Sequence, residues 1–353
     1  GVDLRYTGGR QHYIYEQQSD FDATDREFYD YTDPFFFRTA RIYNTSIQNY
    51  KEDKTWSSHE VNLSSTNESS VQWLVGLYKF REEYSQPVTI YNPDQANLAT
   101  PCISTNFFSC APGVYTPSNP DQVYYSANTD MDDSHSQAIY TSINWDVTDR
   151  WSTAVGLRYT KDYKSLVEST RYVRWDPTFN GDALVLDVTR ALTSNGSTSR
   201  RLKNSWSAYT GDLGVQWQAT DDMLAFAKYT RGYKSGGFNS GTISAVPDVK
   251  EEIMDALEIG WKATFMDTLQ INTALFYYDY QDFQSVVSVV PAIAGPLRSD
   301  FLNLAKAESM GFELETTWAP IDGLTLLFNY SYQQSEIKDL GEYDNGVPIL
   351  LND

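Results

Sequence analysis

The chain has 353 residues, 41% hydrophobic and 15% aromatic, with 27 Lys and Arg against 47 Asp and Glu, a formal net charge of −20. That balance excludes a binder of nucleic-acid backbones, which depends on clustered cations, and the aromatic content excludes a disordered acidic segment. Mean hydropathy is −0.49 and no window approaches the ~18 consecutive apolar residues of a membrane helix, which excludes a helical membrane protein but not a barrel, apolar only at every second strand position.

The opening residues Gly1-Val2-Asp3-Leu4-Arg5 lack the charged head and apolar run of a signal peptide, and read as a mature terminus or an internal cut. The first fifty residues are the least distinctive. From there, period-2 alternation predicts strands at 71–79, 137–145, 151–163, 207–217, 257–265, 269–281, 310–318 and 324–332. In 151–163, Trp151, Thr153, Val155, Leu157, Tyr159 and Tyr163 share one face, while Ser152, Ala154, Gly156, Arg158, Thr160 and Asp162 share the other. Segment 257–265 sets Leu257, Ile259, Trp261, Ala263 and Phe265 against Glu258, Gly260, Lys262 and Thr264. The same split recurs in 310–318, where Met310, Phe312, Leu314 and Trp318 oppose Gly311, Glu313, Glu315 and Thr317. The run 250–257 leads straight into alternation and reads as the approach to a strand, not as a helix.

Short polar connections at 67–70, 147–150, 219–222, 266–268 and 320–323 read as tight turns. Between them lie long irregular segments at about 84–134, 176–204, 234–250 and 290–298, and a tail after 336. Tight turns alternating with long loops describe an up-and-down sheet with one trimmed end and one elaborate end, as in outer-membrane barrels. A soluble sandwich or propeller also alternates, with its apolar face turned inward. Three features favour the membrane barrel: strands of roughly 10 to 15 residues against a usual five or six, charged residues interleaved with Gly and Ala on the wet face, and Trp or Tyr at strand ends.

Cys102 and Cys110 lie in a stretch rich in Pro, Asn and Ser, with no further Cys or His near by to complete a zinc site. A local disulfide closing the loop, formed in an oxidising compartment, is expected; two unrelated buried thiols are the alternative. The same 84–134 loop carries Tyr84, Tyr91, Phe107, Phe108, Tyr115, Tyr124 and Tyr125. Their rings can stack on sugars or planar chelates, or simply pack the loop against itself. The chain has three histidines, His12, His59 and His135, none at metal-binding spacing. The acidic run 128–133 lacks the glycine and terminal Glu of an EF-hand loop and reads as a solvated loop. Glu313 and Glu315 read as a wetted wall, not a catalytic pair. No enzyme, cofactor or metal site is expected.

Several runs, in order, resemble the barrel domain of a TonB-dependent outer-membrane receptor. They include Trp56-Ser57-Ser58-His59-Glu60-Val61-Asn62-Leu63 with Trp73-Leu74-Val75-Gly76-Leu77-Tyr78, and Asn144-Trp145-Asp146-Val147-Thr148-Asp149-Arg150-Trp151 with Val155-Gly156-Leu157-Arg158-Tyr159-Thr160-Lys161-Asp162. Tyr229-Thr230-Arg231-Gly232-Tyr233-Lys234-Ser235-Gly236-Gly237-Phe238-Asn239 is similar to the family's strand-to-loop signature. Leu257-Glu258-Ile259-Gly260-Trp261-Lys262, Ala274-Leu275-Phe276-Tyr277-Tyr278-Asp279-Tyr280 and Gly311-Phe312-Glu313-Leu314-Glu315 continue the series, which covers most of residues 50–335. The family's N-terminal plug, TonB-engaging segment and closing C-terminal strand are not visible.

The resemblance implies an all-β, antiparallel transmembrane barrel in the bacterial outer membrane, of which residues 1–353 form part of a single domain: roughly ten to twelve of about 22 strands. An open half-barrel would leave unpaired edges in lipid, so an ordered portion of a longer protein is expected. The implied function is energy-coupled uptake of a scarce solute (ferric siderophore, cobalamin or oligosaccharide), with the TonB-ExbB-ExbD complex, outer-membrane lipid and lipopolysaccharide as partners. A passive porin, a structural barrel anchoring a surface assembly and a soluble glycan-binding β-protein are the competing readings.

Overall fold

The computed structural model describes residues 1–22, 24–32, 39–103, 118–176, 184–189, 197–241, 243–244, 246–289, 298–339 and 349–350. Eleven long strands follow one another: β1 (Val2–Asp20), β2 (Ile47–Ser65), β3 (Val71–Tyr91), β4 (Val123–Thr148), β5 (Trp151–Asp176), β6 (Ser199–Thr220), β7 (Met223–Lys234), β8 (Glu252–Phe265), β9 (Leu269–Val289), β10 (Arg298–Ile321) and β11 (Leu324–Asp339). Each pairs antiparallel with its neighbour in sequence, so the sheet is a single meander. The turns after β2, β4, β6, β8 and β10 all sit at one end, and the long connections at the other. Met266 and Asp267 take φ of 52° and 55°, the left-handed pair that a tight hairpin turn requires.

The strands extend further than their alternation suggests. β3 continues to Tyr91 and β4 begins at Val123, so both flanks of the 84–134 stretch are strand. β1 occupies the undistinctive N-terminal region, and a separate hairpin pairs Phe28–Thr32 with Thr39–Tyr43 before β2.

One unbroken rung of paired residues crosses all eleven strands: Leu4, Leu63, Val75, Thr141, Leu157, Gly211, Arg231, Asp255, Asp279, Glu308 and Glu336. Measured from this rung, successive trimmed turns lie about 6, 8, 10, 12 and 14 residues away, a stagger of about one residue per strand. One residue rises about 3.3 Å and one strand spacing is about 4.8 Å, so with the turns in one plane the strands incline by about 35°. Outer-membrane barrels tilt their strands by this amount.

The rung changes from apolar to charged as it crosses the sheet, because an inclined rung climbs away from the trimmed end. Counted upward from the turns, outward-facing residues are predominantly apolar or aromatic, with only single Thr and Gly positions such as Thr141, Thr153 and Gly211 among them, for about ten positions, or about 27 Å after correction for tilt, close to the apolar band of such barrels. Within this band Leu157 is 61% exposed, Ile259 51%, Leu275 60% and Phe328 58%. Apolar surface so open and so continuous requires a non-aqueous solvent, which separates this sheet from a soluble sandwich. Aromatic pairs mark both borders on β5 and β6: Trp151 stacks on Trp217 at 5.6 Å beside the turn, and Tyr159 faces Tyr209 at 4.8 Å eight residues higher.

Candidate functional site

The opposite face of the sheet is polar and built for water. In its lower half the Tyr140 hydroxyl donates to the Glu60 carboxylate and lies 2.6 Å from Asn62 Oδ1. The Arg158 guanidinium lies 5.3 Å from the Tyr78 ring and 5.2 Å from the Tyr140 ring, and its Nε donates to Thr160 Oγ1 at 2.9 Å. Gly76 makes room for this arrangement, since a Cβ there would meet the Tyr140 ring at 2.1 Å. Four adjacent strands thus contribute one hydrogen-bonded wall, which explains why charged residues alternate with small ones in the sequence. Glu315 belongs to the same face further round, accepting a 3.4 Å hydrogen bond from Asn272 Nδ2.

Above the membrane band, the connection between β7 and β8 folds back onto the sheet. Lys164 Nζ donates to the Gly236 carbonyl at 2.7 Å, and a Cβ at Gly236 would strike Trp206 Nε1 at 2.1 Å. Burial pushes the Lys164 pKa down, against the pull of Asp162 and Glu82. Phe238 meets Trp206 edge-on at 5.6 Å. Asn239 Nδ2 donates to the Phe301 carbonyl on β10, and the Phe301 amide donates back to Asn239 Oδ1.

Two residues on, the fully buried Glu168 of β5 accepts from the Gly241 amide at 2.5 Å and the Ile243 amide at 3.3 Å, while Arg200 of β6 pairs with its other oxygen at 2.5 Å. Ile243 pays for this with a φ of 49°, a conformation that a β-branched residue rarely takes. The connection therefore grips β5 and β10 within three residues although four strands separate them in the sheet. Such an approach requires the sheet to curl.

The aromatics singled out in the 84–134 stretch have distinct places. The Tyr124 ring packs on buried Leu98 and Val173, with its hydroxyl on Ser46 Oγ at 3.1 Å. Tyr125 sits 5.2 Å from Tyr172, and burial pushes the pKa of both Tyr124 and Tyr125 up. Tyr91 ends β3 and accepts a 3.3 Å hydrogen bond from Gln18. Cys102 opens a two-residue strand beside Leu186. Phe107, Phe108, Cys110 and Tyr115 lie outside the described residues. The acidic run 128–133 is part of β4, and its carboxylates are engaged: Asp130 by Ser85 and Asn128, Asp132 by Arg201, Asp133 by His135. No group of three His, Cys, Asp or Glu among the described residues is placed to hold a metal ion.

A tilted, apolar-belted meander with a polar inner wall, whose β7–β8 connection folds back onto the sheet at the long-loop end, is the geometry of an outer-membrane barrel wall. The family description "TonB dependent receptor-like, beta-barrel" matches residues 2–350. The chain belongs to the TonB-dependent receptors. Among curated relatives, the pesticin receptor of Yersinia pestis is 25% identical over 232 residues, covering 64% of this chain and 30% of that protein. Among solved structures, the ferric yersiniabactin uptake receptor FyuA from Yersinia pestis superposes with a TM-score of 0.59 at 17% identity, over 85% of this chain and 38% of that one. The copper transporter OprC gives 0.55 at 14% identity, over 96% and 44%. The chain spans about a third of the length of the curated relatives it matches. Membership places this TonB-dependent receptor barrel in the outer membrane and outside the enzymes.

Proposed function

We propose that this chain forms wall and outer mouth of a receptor that imports a scarce solute by TonB-coupled transport. The family match over residues 2–350 carries the reading. The hydrated wall around Glu60, Tyr140 and Arg158 supports it, because a lumen of polar side chains suits a movable plug and a polar cargo. A ferric siderophore is the favoured cargo class, since one similar structure is named a ferric yersiniabactin uptake receptor; cobalamin and oligosaccharides are the other candidates. In this reading Tyr91, Phe107, Phe108 and Tyr115 supply ring faces around the mouth, stiffened by a Cys102–Cys110 link, while the Tyr124 and Tyr125 rings serve to pack this end of the protein. Coupling to TonB-ExbB-ExbD falls to an N-terminal segment of the complete receptor.

The test is uptake of labelled ferric chelates, vitamin B12 and oligosaccharides by cells carrying the complete receptor, with and without proton-motive force. Coupled transport predicts accumulation of one class that stops when the force is collapsed. Force-independent uptake would support a passive porin instead.

A further inference from the structure

The β7–β8 connection covers one side of the outer mouth. Lys164 holds it at the Gly236 carbonyl and Glu168 at the Gly241 amide, Thr129 of β4 donates to Ser240 Oγ at 3.3 Å, and Gln284 of β9 donates to the Ser235 carbonyl at 3.1 Å. Asn239 completes the span on β10. None of these contacts is with β1, β2 or β3. A single inward rung shows the difference: Lys54, Tyr84, Met131 and Leu166 are successive partners across β2–β5, and at its β4–β5 end Met131 and Leu166 are 8% and 2% exposed.

At its other end the same rung enters a wall of aromatic rings. Tyr13 and Trp56 meet edge-on at 5.8 Å, Tyr15 and Tyr50 at 5.9 Å, and Lys54 Nζ lies 5.9 Å from the Trp56 ring and 5.8 Å from that of Tyr84. Tyr15 is 47% exposed, and Tyr13, Tyr50 and Trp56 are half-buried. The outward neighbours on β2 at this height are Ser57, Thr55 and Asp53, so the wall stands above the apolar band and its rings face the water of the lumen, not lipid. Open rings on that side mark a surface built to be covered by something other than membrane.

The charges of the wall are already engaged. Tyr13 donates to Glu52 Oε1 at 2.5 Å and Tyr50 to its Oε2 at 3.2 Å, while Lys54 pairs with Glu82 at 2.7 Å. Lys54 is the one cation among the inward-facing residues of 9–17 on β1, 50–58 on β2 and 80–88 on β3. Two carboxylates against one lysine leave this surface negative.

We propose that the solute is received on this β1–β3 wall, beside the clamped connection, and that the wall selects an aromatic ferric chelate of zero or positive net charge. The proposal deepens the reading of this barrel as an importing receptor and rests on it. Planar rings of the chelate stack on Tyr13, Tyr15, Tyr50 and Trp56. A polyanionic chelate brings its charge against Glu52 and Glu82, and the lysine that would answer it is held by Glu82. Rings supply the affinity, and the carboxylates supply the choice between chelates that carry similar rings.

The test is equilibrium dialysis of the complete receptor in detergent against three radioiron-labelled probes: uncharged ferric tris-hydroxypyridinonate, trianionic ferric tris-catecholate, and a ferric trihydroxamate that carries a pendant ammonium and no ring. Wild type is expected to bind the hydroxypyridinonate at least about tenfold more tightly than either of the others. Trp56→Ala should weaken the hydroxypyridinonate at least about fivefold, and Trp56→Phe should restore it. Glu52→Gln with Glu82→Gln, which frees Lys54, should tighten the tris-catecholate by about tenfold and leave the hydroxypyridinonate unchanged, a gain that a misfolded barrel cannot give. Either comparison probe bound by wild type as tightly as the hydroxypyridinonate, no gain in the glutamine variant, or no loss in Trp56→Ala would each overturn the proposal and leave import itself intact. No binding of any probe would overturn the aromatic ferric cargo, and uptake with and without proton-motive force then decides separately whether import is coupled.

Discussion

Asn239 grips the backbone of Phe301 from both sides: its Oδ1 accepts from the Phe301 amide at 2.7 Å and its Nδ2 donates to the Phe301 carbonyl at 2.9 Å. The side chain thereby imitates a strand neighbour and ties the β7–β8 connection to β10. Asn239→Ala removes three side-chain hydrogen bonds, these two and the one from Nδ2 to the Val246 carbonyl at 3.0 Å, and leaves backbone groups of Phe301 and Val246 unpaired, a cost of about 2–4 kcal/mol confined to this connection. Limited proteolysis should then cut within 235–251 while the barrel strands stay protected. Cleavage no faster than in wild type would contradict the clamp.

Glu168 and Arg200 form the other anchor. Glu168→Ala leaves Arg200, whose side chain is 15% exposed, without an ion-pair partner among the described residues, and breaking a buried pair costs about 3–5 kcal/mol. Replacing both residues with apolar side chains should recover part of that loss. Urea unfolding in lipid vesicles reads the difference, and equal stability of single and double variants would refute coupling between the two.

Asp22 offers a pH test outside the membrane. Its carboxylate accepts from the amides of Ser46 at 2.8 Å and Thr24 at 3.0 Å, which hold its pKa below the ordinary aspartate range. The contribution is therefore present above the unfolded value near 4 and fades as pH falls through the lower folded value. Amide exchange at Ser46 should accelerate on acidification below about pH 4 relative to the Asp22→Asn variant, in which the acceleration is absent. A pH-independent difference between the two would count against the assignment.

A Cys102–Cys110 link predicts no free thiol from this pair when the protein is unfolded without reductant. Two titratable thiols would remove the disulfide from the account.

The strands were legible only where lipid writes the pattern. In 151–163 one face meets hydrocarbon and the other water, so residues alternate. Above the band both faces are wet or covered by connections, as at Ser126–Asp133, where Asn128, Asp130 and Asp132 obscure a strand that begins at Val123. β1 hides for the same reason: after Leu4 and Tyr6 its outward positions are Gly8, Arg10 and His12. The Glu168–Arg200 anchor had no local signal, because its members are 32 residues apart and meet only through the β5–β6 register. Asn239 stood inside a run recognisable by resemblance, but its partner Phe301 lies 62 positions away.

The central claim is that the eleven-strand rung climbs through the membrane. Val75→Arg, about six residues above the trimmed turn and near the middle of the band, should cost about 2–4 kcal/mol, while Glu336→Arg, on the same rung but beyond the band, should cost close to zero. The most direct measurement places spin labels singly at 63, 157, 255 and 336 in a receptor whose native cysteines are replaced by serine, and compares collisions with oxygen and with a water-soluble nickel chelate. The account predicts that 63 and 157 are immersed in lipid and that 255 and 336 emerge into water. Equal immersion at all four, or aqueous exposure of 63 and 157, would contradict it.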